Sequence, residues 1–154
     1  MQPSMRRKDR EMSTEETEQL LIAGEYGVLS TVDADGQPHS TPLNYVYADG
    51  CIFFHCALAG HKLENIKNNN KVAFCVVGRT EILPEKFSTN YESAVITGIA
   101  IESTGVEKEQ ALLYLVNKYS PDFIKEGMEY ISLAADKTRV LKIKIVLLTG
   151  KARK

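Results

Sequence analysis

Residues 57–65, Ala-Leu-Ala-Gly-His-Lys-Leu-Glu-Asn, form a junction whose residue types and spacing suggest ligand chemistry. An apolar run, residues 51–56, gives way there to a helical pattern over residues 61–69. A helix that opens near Gly60 or His61 leaves its first four N–H groups without intrahelical partners, and they carry partial positive charge. Gly60 allows close backbone approach, Lys62 adds a full positive charge, and His61 can donate as well. No acid occupies the first two helical positions. The junction therefore suits a phosphate group. Read alone, it is also a plain helix start with a surface lysine.

Other chemistries find less support. No pair of glycines has the GxGxxG spacing, and no GxxxxGK[ST] run occurs, which excludes a P-loop and leaves a Rossmann site unsupported. His55, Cys56 and His61 are close in sequence, yet His55 and Cys56 on a strand point to opposite faces. Two ligands without a carboxylate do not make a metal site, so none is expected. No GxSxG elbow exists for a hydrolytic serine. Tyr45, Tyr47, Phe53 and Phe54 could stack on bases, but their strands lack interleaved Lys and Arg, and the formal charge is −1. Nucleic acid is not an expected partner.

These residues need elements to position them. Ser13-Thr-Glu-Glu16 has the form of a capping box, followed by an apolar side at Leu20, Leu21 and Ala23, with Gly24 as the stop. Strands are expected over residues 26–32, 39–47 and 51–56, joined by turns at Asp33-Ala-Asp-Gly36 and Ala48-Asp-Gly50. Pro38 and Pro42 cannot donate ladder hydrogen bonds, which makes the second strand an edge or a bulged strand. In the helix after Gly60, Leu63 and Ile66 share the inner face, while Lys62, Glu64, Asn65 and Lys67 face water. Residues 71–77 read as a central strand, residues 79–90 as a polar connection, and residues 93–102 as another strand. A helix over residues 107–119 turns Ala111, Leu112, Leu115 and Val116 inward, and Ser120-Pro121 breaks it. Residues 138–148 form the closing strand. Turn-linked strands with few helices indicate a mainly β (α+β) fold, either a β-barrel or an α+β sheet, and not a doubly wound one.

The 154 residues suit one domain over residues 13–154, preceded by a basic arm, residues 1–12. Three cysteines without a CxxC pair read as small buried hydrophobes in a reduced, cytoplasmic protein. No apolar run approaches the roughly 20 residues of a membrane helix, so no membrane partner is expected.

Several stretches together resemble the pyridoxamine-phosphate-oxidase-like FMN-binding split barrels, in particular the branch related to 5-nitroimidazole resistance (Nim) proteins. They are residues 5–12 (MRRKDREM), 26–33 (YGVLSTVD), 41–45 (TPLNY), 53–65 (FFHCALAGHKLEN), 91–93 (YES) and 149–151 (TGK). The resemblance implies a six-stranded antiparallel split β-barrel with a few peripheral helices. It implies a homodimer with FMN at the subunit interface, acting as an oxidoreductase on a small organic molecule, nitro-group reduction being one option. It assigns the flavin phosphate to Ala57, Gly60, His61, Lys62 and Asn65. The ring lies along Thr41, Pro42, Leu43, Asn44 and Tyr45, whose backbone faces its polar edge. His55 matches a histidine implicated near the Nim active centre, and the arm would let Arg6 and Arg7 approach a phosphate or carboxylate. The chain has no tryptophan and lacks the oxidase's C-terminal arginine- and proline-containing signature, which puts vitamin B6 oxidation in doubt. Split barrels also host haem and deazaflavin, the alternative to FMN.

Overall fold

The computed structural model describes residues 3–154, so the first two residues of the expected arm lie outside the described residues. Seven strands are present: β1 (Gly27–Val32), β2 (Pro38–Leu43), β3 (Val46–Ala48), β4 (Cys51–Cys56), β5 (Lys71–Leu83), β6 (Ser88–Ser103) and β7 (Arg139–Arg153). They form one antiparallel sheet in the order β2-β1-β5-β6-β7-β4-β3. The strand expected over residues 39–47 is thus two strands at opposite edges, which raises the count from six to seven. β2 pairs with β1 (Val28 opposite Pro42), and β3 pairs with β4 (Val46 opposite Phe53). Only Asn44 and Tyr45 join them. Three peptide links span at most about 11 Å, so the sheet must coil until its two edges adjoin. The barrel is split at that step, and Pro38 and Pro42 sit on an edge strand as expected.

Inside the barrel, Leu29, Ile52, Phe54, Phe74, Ile96 and Ile143 are buried together with Tyr45. Helix α1 (Thr14–Ala23) closes this core with Leu20 and Leu21. Its capping box forms as expected: Glu16 N–H donates to Ser13 Oγ at 3.1 Å, and Ser13 N–H donates to Glu16 Oε2 at 2.9 Å. Gly24 follows the helix with φ −61°, so it acts by its size and not by a left-handed cap. A Cβ there would lie 2.4 Å from Tyr45 Oη and 2.6 Å from Val76 Cγ1.

A second layer lies outside β3, β4 and β7. Helix α3 (Gly105–Tyr119) packs Ala111, Leu112 and Leu115 against Val46, Phe53 and Val140. Helix α4 (Ile124–Ala134), for which no element was expected, runs against α3. Gly127 permits that approach, because a Cβ there would lie 2.6 Å from Val116 Cγ1. Lys108 Nζ donates to Ala135 O at 2.8 Å and ties the start of α3 to the end of α4.

The polar stretch over residues 79–90 is not a loop. β5 and β6 continue through it as a hairpin, pairing Thr80 with Tyr91 and Leu83 with Ser88. The arm is polar because water reaches both its faces, and it leaves Ile82 and Phe87 exposed (74% and 97%). β7 likewise runs to Arg153, beyond the expected end. The basic arm lies along that end: Glu11 bridges to Lys151, and Met12 N–H donates to Gly150 O at 2.9 Å.

Candidate functional site

Helix α2 (His61–Asn68) begins directly after the exposed turn that follows β4. Gly60 precedes it at φ 154° with nothing within 4 Å of a notional Cβ, so the site is open and the backbone conformation is what calls for glycine. No side chain caps the helix. Its first intrahelical bond runs from Glu64 N–H to Gly60 O at 3.1 Å, so the amides of His61, Lys62 and Leu63 precede the ladder. Ala57, Gly60 and His61 are exposed and Lys62 is half-buried. Among the described residues Lys62 has no carboxylate within ion-pair distance. The positive end of α2 and an unpaired lysine thus coincide, the arrangement an oxyanion needs.

Asn65 departs from expectation. It is buried, not facing water, and its Nδ2 donates to Thr31 Oγ1 at 3.0 Å. The inner arc of this short helix is wider than the Leu63–Ile66 pair suggested, because α2 packs against β1, where Thr31 meets Asn65. Asn65 therefore anchors the cradle to the barrel instead of turning toward a ligand.

The β2 residues divide in the same way. Thr41 stands opposite Leu29, Leu43 packs against the core, and Pro42 and Asn44 are exposed. Tyr45 is fully buried, and its backbone is already engaged. Its N–H donates to Tyr119 Oη at 3.0 Å, and its carbonyl accepts from Lys118 Nζ at 3.0 Å. Tyr119 Oη also lies 2.9 Å from Tyr45 O and 2.7 Å from Glu25 O, the two acceptors for its proton. At Tyr45 the expected ligand-facing backbone is instead satisfied by α3. Lys118 also sits 3.8 Å above the Tyr45 ring, and burial brings its ammonium pKa down to about 8.

His55 stands on the outer face of β4, opposite Val140. It meets Asn44 in a cavity of about 230 Å3 between β4, α3 and α4. Burial, and secondarily the charge of Lys62, push its imidazolium pKa down, so the ring is neutral at physiological pH. Burial raises the Cys56 thiol despite Lys62 and Arg139, which leaves it a poor nucleophile. The structure thus brings Asn44, His55 and Lys62 into one neighbourhood.

Arg6 and Arg7 do not join them within one chain. Arg6 is exposed, and Arg7 Nε donates to Asp9 Oδ1 at 2.8 Å. Their arm lies near Lys151 at the end of β7, whereas the strand's first residue, Arg139, is the one paired with Cys56. Three of the matching stretches converge at that far end. Ser93 pairs with Lys151, and Arg10 and then Lys151 hold the Tyr91 phenol below its ordinary pKa. Sequence reasoning named the α3 side of the cavity and missed the α4 side. Its signal was the apolar spacing Ile124, Met128, Ile131 around Gly127.

Comparison with known proteins adds a family. A profile of the family described as pyridoxamine 5′-phosphate oxidase matches residues 13–152. No curated protein matches. Among solved structures, a candidate 5-nitroimidazole antibiotic resistance protein from Bacteroides thetaiotaomicron aligns with TM-score 0.79 and 22% identity, covering 92% of this chain and 86% of that one. A conserved hypothetical protein from Mycobacterium tuberculosis aligns with TM-score 0.83 and 19% identity, covering 97% and 90%. An FAD- and haem-binding protein from Mycobacterium smegmatis aligns with TM-score 0.79 and 17% identity, covering 94% and 74%. At these identities the likeness establishes the fold.

Proposed function

Because the chain belongs to the pyridoxamine 5′-phosphate oxidase family, we propose that it binds FMN and is an oxidoreductase acting on a small organic molecule. The observation that carries this reading is the uncapped start of α2, whose first amides stand beside Lys62. Ala57, Gly60 and the amides of His61 and Lys62 would hold that phosphate, with Lys62 supplying the charge. The exposed edge at Pro42 and Asn44 would flank the ring, with Thr41 and Leu43 behind it. Bound flavin would supply the electron transfer, so the chain's own tasks are to bind it, orient it and admit a substrate. Nitro compounds are one substrate option.

The assembly in this reading is a homodimer. Val28, Cys75 and Val95 lie in one cross-strand row on the outer face of β1, β5 and β6, and Val77 and Val95 are exposed there (58% and 41%). A second copy would cover that row. Arg6 and Arg7 could then serve the flavin site only from the partner subunit. Three free cysteines whose thiol pKa values burial raises fit a reducing cytoplasm. No helix among the described residues is long and apolar enough to cross a membrane.

A second reading is haem or deazaflavin in place of FMN, favoured by the neutral His55 imidazole, a competent iron ligand. The visible spectrum of the purified protein separates them. A flavin spectrum supports the FMN reading; a Soret band overturns it.

A further inference from the structure

Lys118 is a nucleophile that the flavin reading does not use. It forms one side of an open groove between the end of α1 and the end of α3. Ile22, Glu25, Tyr26, Asn44 and Tyr119 line the groove with it, and no residue of α2, β4 or α4 takes part. Lys118 Nζ donates to Tyr45 O at 3.0 Å, 3.8 Å above the centre of the Tyr45 ring and 5.2 Å from that of Tyr119. Among the described residues no carboxylate lies within ion-pair distance of it. One carbonyl and two ring faces replace only part of the water around an exposed ammonium, and burial brings the pKa down to about 8. At neutral pH roughly a tenth of such side chains are free amine, against fewer than about one in a thousand for an ordinary lysine. A desolvated lysine amine is suited to attack on carbonyl compounds.

The groove also sorts electrophiles by charge. α1 ends there with no basic side chain in its last turn, so its partial negative charge is not offset, and Glu25 adds a full one. Lys118 is uncharged in its reacting form, and no other basic residue lines the groove. An anionic electrophile is repelled, whereas an uncharged one meets the exposed apolar surfaces of Ile22 and Tyr26. We propose that Lys118 is a covalent attachment site for small uncharged aldehydes, which form a reversible imine with Nζ in this groove. The Nζ lone pair forms the C–N bond, and the carbonyl oxygen leaves as water with both amine hydrogens. No electrons are gained or lost. The protonated imine keeps one N–H, enough to preserve the bond to Tyr45 O. The site stands or falls independently of the flavin reading.

Treating the purified full chain with benzaldehyde and sodium cyanoborohydride at neutral pH, followed by peptide mass mapping, tests it. Trapped imine should accumulate on Lys118 at least about tenfold faster than on Lys67, which is exposed on α2. With 4-formylbenzoate in place of benzaldehyde, the advantage of Lys118 over Lys67 should shrink, and Glu25→Gln should restore it by about twofold to threefold. Lys118→Arg should lose the fast labelling and leave that of Lys67 unchanged. Lys118 labelled no faster than Lys67 would overturn the proposal, and this wild-type comparison needs no variant to fold. Equal advantage with the two aldehydes would overturn the uncharged class of ligand. Fast labelling that survives Lys118→Arg would place the reactive amine elsewhere and overturn the site.

Discussion

Lys62, Asn65 and His55 lie within eleven residues of one another and carry three different physical roles. Lys62 contributes charge, Asn65 anchors α2 to Thr31, and partial burial lowers the imidazolium pKa of His55. Asn65→Ala leaves Thr31 Oγ1 without its donor in a buried place, which should cost about 1–2 kcal/mol of unfolding free energy in urea denaturation. FMN affinity would then weaken only through a loosened α2, not through a lost ligand contact. Lys118 gives a second, independent test. Its ammonium pKa is about 8 in the fold against an ordinary 10.5. Between those values the unfolded chain holds more protons, so the lysine's burial penalty fades as pH rises through this window. The stability of the wild type relative to Lys118→Met should therefore rise from pH about 8 to about 10. A flat difference over that range would contradict the burial of this amine beneath Tyr45.

At the scale of elements, legibility followed local chemistry. The capping box before α1, the Asp-Gly turns and the start of α2 are each written in a few adjacent residues, and all three formed. The break at Asn44–Tyr45 was not legible, because nothing local separates a proline-bearing strand from two short ones. Only the long-range pairing of β2 with β1 and β3 with β4 decides it. The hairpin over residues 79–90 was hidden for the opposite reason, since a ladder wetted on both faces has no apolar alternation to read. α4 buries no residue fully, so its pattern competes weakly with that of a loop. In the candidate site, Lys62, Asn44 and His55 were nameable from sequence. The inward turn of Asn65 and the helical wall above His55 required packing. Close packing between elements is itself testable. A Cβ at Gly150 would lie 2.0 Å from Thr17 Oγ1, where α1 rests on β7, so Gly150→Ala should destabilise by roughly 1–3 kcal/mol.

For the whole molecule, the two ends of β7 define two regions that a single chain keeps apart. One carries the α2 cradle near Arg139; the other gathers the arm, Tyr91 and Lys151. The apolar outer row of β1, β5 and β6 reaches β7 at Thr149, beside the second region, and in the proposed dimer a second copy covers it. Val95→Lys places a charge in that row, and the solution mass should drop from twice the chain mass to once. A wild-type mass equal to one chain would contradict the dimer directly.

The claim on which all of this turns is that the start of α2 holds a flavin phosphate. A fluorescence titration of FMN against wild type and Lys62→Ala tests it most directly. Saturable binding by the wild type, weakened at least about tenfold in the variant, is the predicted result. Equal affinity of the two proteins for FMN would contradict it.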